Sequence, residues 1–332
     1  MENTDVISTN KFSGKSAHFS DYVILTLTMI LWGGTWPVAK VLLDTIPPLT
    51  LGFIRYLIAS IFLLPTLFFN KRNQSTYDES NKNRKSINRH DWFLFFMLGL
   101  TGIFIYGWLF LAGLRYTTAS QGAIIAGVDP ITITLFGHIM HGERLEVKWK
   151  YFGFLISFTG VFLIIGIQSF VNFNRNHFIG NLLILLAMFF WGLYSNLGKT
   201  VMKKFSALEV VTISSFFGMI LFGLSATTER FWMLWDDIYN LTFIFSIAYI
   251  SIISTYIGFI LYFKSIDKIG PTRVSVFMNL VPVFGVLFSI IFIHEKIFPL
   301  FLVGLVLIII GISLINYPVS PNTSKQEKGM DL

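Results

Sequence analysis

The chain has 332 residues, of which 54% are hydrophobic and only 13% charged. Soluble globular chains carry roughly 25% charged residues, so this composition excludes an ordinary soluble domain and points to a bilayer. The net charge of +7 does not point to nucleic acid, because Lys and Arg fall in the gaps between apolar runs rather than on one face. The absence of Cys excludes disulfides, Cys-ligated metals and a Cys nucleophile.

Residues 1–21 are polar, with Lys11 and Lys15, and lack the short apolar core and cleavage site of a signal peptide. They read as a cytoplasmic tail. A helix needs about 20 mostly apolar residues to cross the hydrocarbon core. Ten stretches qualify: 22–43, 49–69, 92–114, 119–140, 149–167, 179–200, 207–227, 241–263, 272–292 and 298–316. Short connections such as Asp44-Thr45-Ile46-Pro47-Pro48 make sequential helices antiparallel neighbours. Residues 70–91 form the one long polar loop, and 317–332 read as a second tail. With the N-terminus inside, nineteen Lys and Arg fall in inner segments and four in outer ones. The positive-inside rule then places both termini in the cytoplasm of an inner-membrane protein.

The sequence repeats itself. Trp32-Gly33 … Lys40 returns as Trp191-Gly192 … Lys199, at an offset of 159. After Thr118 the offset is 152: Pro130 pairs with Pro282, Glu143 with Glu295, Gly153 with Gly304 and Gly160 with Gly311. Units of five helices are odd, so the second copy lies upside down relative to the first. Inverted repeats are a recurring plan of secondary transporters. The predicted fold is an all-α integral membrane protein, ten transmembrane helices in two inverted five-helix repeats over 22–167 and 179–316.

These residues, with Arg55-Tyr56 … Ala59 in the second span and Gly142-Glu143 after Pro130, resemble the drug/metabolite transporter superfamily in its EamA-type branch. The resemblance covers roughly 20–316. It implies ten helices, cytoplasmic termini, a central cavity between the halves, and export or exchange of small metabolites such as amino acids, purine-like compounds or drugs. Two positions stand outside the repeat: Arg55 aligns with Ser214, and Asp129 with Val281.

Asp129 lies near the middle of the fourth span, where a charged side chain costs roughly 2.5–3.5 kcal/mol on insertion scales. It is expected to face a cavity, binding a proton or a substrate amine, or else to pair with Lys40 or Arg55. Pro130 has no N–H for the carbonyl of Ala126 and is expected to kink the helix and free that carbonyl. Pro282 is the matching kink. Lys40 and Lys199 either snorkel to their interfaces or meet an anionic substrate or gate. Arg55 reads as structural or as a substrate contact. Trp32, Trp36, Tyr106, Trp108, Trp191, Tyr194, Tyr256 and Tyr262 could wall a cavity, where Trp and Tyr also attract cations, or belong to cores and interfacial belts. Trp32 and Trp191 are favoured, being repeat-paired beside Gly. Asn279, Gln121 and Arg273 are lesser polar candidates, while His138 and His141 lie too near the interface to assign. Glu143 and Glu295 read as caps for loop amides or cations at the next helix. Gly153, Gly160, Gly304 and Gly311 read as close-packing positions.

No Walker A loop, HExxH or GxSxG is present, so ATP hydrolysis and these hydrolase chemistries are not expected. No cofactor or metal is implied. The expected partners are a small-molecule substrate, the lipid bilayer and, as a coupling ion, protons. An importer or a nucleotide-sugar-type antiporter is the nearest alternative. An intramembrane enzyme or an assembly factor is more remote, since acids and His are scattered and neither role needs an inverted repeat.

Overall fold

A computed structural model describes residues 19–77, 87–142, 150–163, 174–230, 241–296 and 299–316. Every element among them is helical. In chain order they are α1 (Phe19–Leu43), α2 (Pro48–Tyr77), α3 (Arg89–Tyr116), α4 (Ala119–His141) and α5 (Lys150–Phe162). Then follow α6 (Arg175–Val201), α7 (Ala207–Glu229), α8 (Leu241–Ile269), α9 in two pieces (Pro271–Phe277 and Leu280–Ile293) and α10 (Pro299–Asn316). Local signals set the ends. Asn88 with Asp91, and Ser206 with Glu209, form reciprocal capping boxes that start α3 and α7. Gly142 and Gly270 end α4 and α8 at φ of 66° and 85°, where a side chain would be strained.

Seven of these helices, α1–α4 and α6–α8, are long and apolar enough to cross a membrane. Under the expected spans 149–167 and 298–316 the described helical residues are 150–163 and 299–316, while the helix under 272–292 is broken. The break in α9 falls at Met278 and Asn279. Residues 149, 164–167 and 298 lie outside the described residues, as do Glu143, the expected N-terminal tail up to residue 18 and the tail 317–332.

The interruptions are themselves duplicated. Residues Ala126–Val128 of α4 form a 3₁₀ turn, in which the Asp129 N–H donates to the Ala126 carbonyl. In α9 the Val281 N–H donates to the Met278 carbonyl at 3.0 Å. Each turn immediately precedes the repeat-paired proline, Pro130 or Pro282. The proline does interrupt the helix, but the Ala126 carbonyl is not left free. The chain tightens by one residue, and Asp129 supplies the donor that Pro130 lacks. Likewise α3 carries a π-helical stretch at Gly99–Ile105 and α8 one at Tyr249–Ile257.

Packing follows the same plan. α1 packs on α9 and α8, and their counterparts α6 on α4 and α3. α2 packs on α8, and its counterpart α7 on α3. The remaining large contacts join each helix to its own counterpart: α2 to α7, α4 to α9 and α5 to α10. These last three pairs run antiparallel. A methyl on Gly160 would lie 2.6 Å from the Gly304 carbonyl oxygen, while one on Gly311 would meet the Gly153 carbonyl oxygen. The register therefore rises on α5 as it falls on α10. On α4 and α9, Gly285 faces Ala123 and Gly127 faces Pro282; on α2 and α7, Tyr56 stacks on Phe222 while Leu49 and Thr50 meet Glu229.

The outer surface is apolar, with Leu27, Ile61, Leu155, Leu224, Phe245 and Ile291 exposed, while Arg55, Asp129, Asn181 and Asn196 are buried. This distribution suits lipid outside and polar groups within. The two ends of the bundle are tied differently. At one end the Lys40 ammonium donates to the carbonyls of Leu114, Arg115 and Thr117 at 3.0, 3.2 and 2.7 Å, closing the C-terminus of α3. At the other, Lys268 meets Asp21 at 2.5 Å and Lys204 meets Asp91.

Candidate functional site

A cavity lies between the two interrupted helices, lined on α4 by Ala126 and Asp129 and on α9 by their counterparts Met278 and Val281. α1 contributes Trp32, Thr35 and Trp36, and α6 contributes Met188 and Trp191. Arg55, Tyr106, Phe110, Ser254 and Phe259 complete the wall from α2, α3 and α8. It is narrow, leaving about 40 Å³ for the centres of water-sized molecules.

The walls are aromatic and interlocked. Trp32 and Trp191 meet edge-on with ring centroids 5.4 Å apart, and Tyr262 packs on both at 5.0 and 5.3 Å. Tyr106 leans on Trp191 at a tilt of 43° and 4.9 Å, and Trp36 meets Phe110 edge-on at 4.8 Å. Such pairs contribute about 0.5–1.5 kcal/mol each beyond area burial, so these rings form a stiff floor. Trp32 is further pinned by its indole N–H, which donates to the Ser254 carbonyl at 2.9 Å. Gly258 permits that approach, since a methyl there would stand 2.5 Å from the Trp32 nitrogen.

Two charged groups face this aromatic shell. Arg55 is 4% exposed, and its Nε donates to Thr255 Oγ1 at 2.6 Å. Thr255 in turn donates to the Ile250 carbonyl in the π-helical stretch of α8. Among the described residues this is the one hydrogen bond Arg55 makes, so the guanidinium edge is left for other partners. Asp129 is 6% exposed, and its Oδ1 is buried without a hydrogen-bond partner. Among the described residues Asp129 forms no ion pair, neither with Arg55 nor with Lys40. A buried polar atom without a partner costs about 1–3 kcal/mol. A fixed cation and an orphaned carboxyl in one aromatic-walled space can hold a solute bearing both charges.

Not every expected site residue converges here. Trp32, Trp36, Arg55, Tyr106, Asp129 and Trp191 do. Lys40 spends its donors on the end of α3, and Lys199 lies half-buried on α6 outside the lining. Tyr194 is buried behind the wall, its hydroxyl 3.3 Å from Ser214 Oγ. Tyr256 lines a second cavity with Thr66, Asn70 and Lys264, and its hydroxyl sits 2.8 Å from Thr66 Oγ1. Asn279 sits at the break in α9, its Oδ1 without a partner. Pro130 and Pro282 stand at the two breaks. Thr35, Phe110, Ser254 and Phe259 line the cavity but carry no sequence signal. Ala126, Met278 and Val281 could have been found by carrying Asp129 and its neighbours across the offset of 152.

Comparison with known proteins bears on what such a cavity serves. The EamA-like transporter family matches residues 20–166 and 178–317. An uncharacterized transporter of Archaeoglobus fulgidus is 26% identical over 276 residues, covering 83% of this chain and 90% of that one. The uncharacterized transporter YyaM of Bacillus subtilis is 26% identical over 300 residues, covering 89% of this chain and 93% of its own. One solved crystal structure shares the fold at a TM-score of 0.62 and 18% identity, covering 89% of this chain and 97% of that one.

Proposed function

Since the chain belongs to the EamA-like transporter family, and is thus a multi-pass membrane transporter rather than an enzyme, we propose that it moves a small zwitterionic solute through the central cavity by alternating access. The solute class is that of an amino acid: the carboxylate meets Arg55, the ammonium meets Asp129, and the remainder lies against Trp32 and Trp191. The observation that carries this reading is the pairing of an orphaned Asp129 carboxyl with an incompletely used Arg55 in one cavity. In this reading ten helices cross the plasma membrane as two inverted repeats, 22–167 and 179–316, with both tails cytoplasmic. The antiparallel packing of α2 on α7, α4 on α9 and α5 on α10 supports it. So does the way most inter-helix contacts map onto one another when the halves are exchanged. The 40 Å³ of space must widen to admit a solute, which favours a cycle of closed and open states over a fixed channel.

The direction is export or exchange, with protons as counter-ion, since Asp129 accepts either a proton or the solute's ammonium. The test is counterflow in reconstituted vesicles with three labelled probes: an amino acid, its decarboxylated amine and its N-acetylated acid. Exchange of the amino acid alone is expected. Equal exchange of the amine or of the acetylated acid would show that Arg55 and Asp129 do not act together. A transport rate whose pH dependence survives Asp129→Asn would remove the proton role.

A further inference from the structure

Two carboxylates outside the cavity join the halves at one end of the bundle. Glu229, at the C-terminal end of α7, accepts from the N–H groups of Leu49 and Thr50 at 3.2 and 2.7 Å and from Thr50 Oγ1 at 2.9 Å. Glu295, just past α9, accepts from the N–H groups of Ala119 and Ser120 at 2.7 and 2.8 Å. Each carboxylate thus reaches from the second half to a helix N-terminus of the first, α2 in one case and α4 in the other. There, unpaired N–H groups and the positive end of the helix dipole receive it. The C-terminal ends of α1 and α3 lie at this same end, joined through Lys40.

Each carboxylate adjoins a left-handed residue that ends its helix. Among the described residues, the non-glycine positions with positive φ are Arg230 at 51° and His294 at 53°. Arg230 directly follows Glu229 and His294 directly precedes Glu295. A left-handed residue is unfavourable for a side chain other than glycine. Such strain persists where the surroundings hold it, and it gathers at switch regions. Both residues adjoin a carboxylate that crosses between the halves.

From this geometry we infer that Glu229 and Glu295 are gating residues, a pair of latches that hold the transporter closed at the end carrying Lys40. The inference rests on alternating access at the central cavity. By the distribution of Lys and Arg this end faces outward. Releasing either latch frees the ends of α7 or α9 from the first half and relaxes the adjoining left-handed residue. Opening there is then less costly, while the ties of Lys268 to Asp21 and Lys204 to Asp91 at the opposite end are untouched. The carboxylates touch no solute. They act on the cavity by setting how often it opens to one side.

The chain contains no Cys, so a single Ala126→Cys places one reporter thiol in the cavity wall. Its labelling by a membrane-impermeant maleimide is followed from each face, in intact cells and in inverted vesicles. Glu295→Gln keeps an acceptor and removes the charge, and it should raise labelling from the outer face about two- to fivefold, the range a carboxylate at a helix N-terminus supports. Ala119→Pro should act in the same direction. It deletes one donor N–H at the first position of α4, where proline is tolerated, and Thr118 before it is already extended at φ −85° and ψ 156°. Combining Glu295→Gln with Glu229→Gln should multiply the two effects, because the latches sit on different helix pairs. If Glu295→Gln and Ala119→Pro leave outer labelling unchanged while the thiol is still reached from the inner face, the latch is wrong and the cavity reading stands. A thiol reached from neither face in any variant would overturn the cavity reading and the latch with it.

Discussion

Replacing Asp129 by Asn separates a carboxyl that serves a solute from one that serves the fold. A structural Asp129 would be one half of a buried ion pair, and removing it would strand the cation at a cost of about 3–5 kcal/mol. At roughly 2–4 °C per kcal/mol, melting would then fall by roughly 6–20 °C. The geometry argues otherwise. The Lys40 ammonium is occupied by three carbonyls, Arg55 is bonded to Thr255, and Asp129 Oδ1 has no partner to lose. Asn has nearly the same shape, so the change should cost about 1 kcal/mol or less, and melting of the purified protein in detergent should shift by less than about 4 °C. Counterflow should respond in the opposite measure. A hydrogen bond to a charged group is worth about 1.5–3 kcal/mol, so the apparent affinity for an amino-acid probe should weaken about 10- to 150-fold. Melting by fluorescence-detected size exclusion and counterflow on the same preparation give both numbers. A fall of 10 °C, recovered by adding Arg55→Gln, would reveal a hidden pair and refute the reasoning.

Two further outcomes follow from the same contacts. Arg55→Lys removes the Nε bond to Thr255 and the planar fork that matches a carboxylate. The Michaelis constant for the amino-acid probe should rise tenfold or more, while the decarboxylated amine should bind no worse than to the unaltered protein. Gly160→Ala gains roughly 1 kcal/mol of helix propensity but drives a methyl to within 2.6 Å of the Gly304 carbonyl oxygen. Overpacking costs about 1–3 kcal/mol, so melting should fall; a rise would show that α5 and α10 do not approach this closely.

What was legible in the sequence was what repetition or cost made visible. Trp32 and Trp191 were marked by their pairing, and they meet across the cavity. Asp129 was marked by the cost of a charge at mid-bilayer, and it lines the same cavity. The glycines at offset seven were marked twice over, and they face one another on α5 and α10. Other features had no local signature. The π-helical stretches Gly99–Ile105 and Tyr249–Ile257 contain no proline, and nothing in their composition separates them from ordinary helix. Glu229 was not singled out because its partners, Leu49 and Thr50, lie about 180 residues away in sequence. Tyr256 shares the residue type of a cavity aromatic but sits lower on α8, beside Thr66. Residue type is visible in a sequence; depth along a helix and the neighbour across the interface are set by packing.

The interleaving of the halves also constrains how the protein is made. α1 packs on α8 and α9, α2 on α7 and α8, and α5 on α10, so helices synthesised first have partners synthesised last. While the ribosome is still making α6, Gly160 and Gly33 lack the backbones of α10 and α9 that later cover them. The bundle therefore closes only after the last helix is made, and a chain truncated before α10 leaves α5 without the neighbour it packs against most.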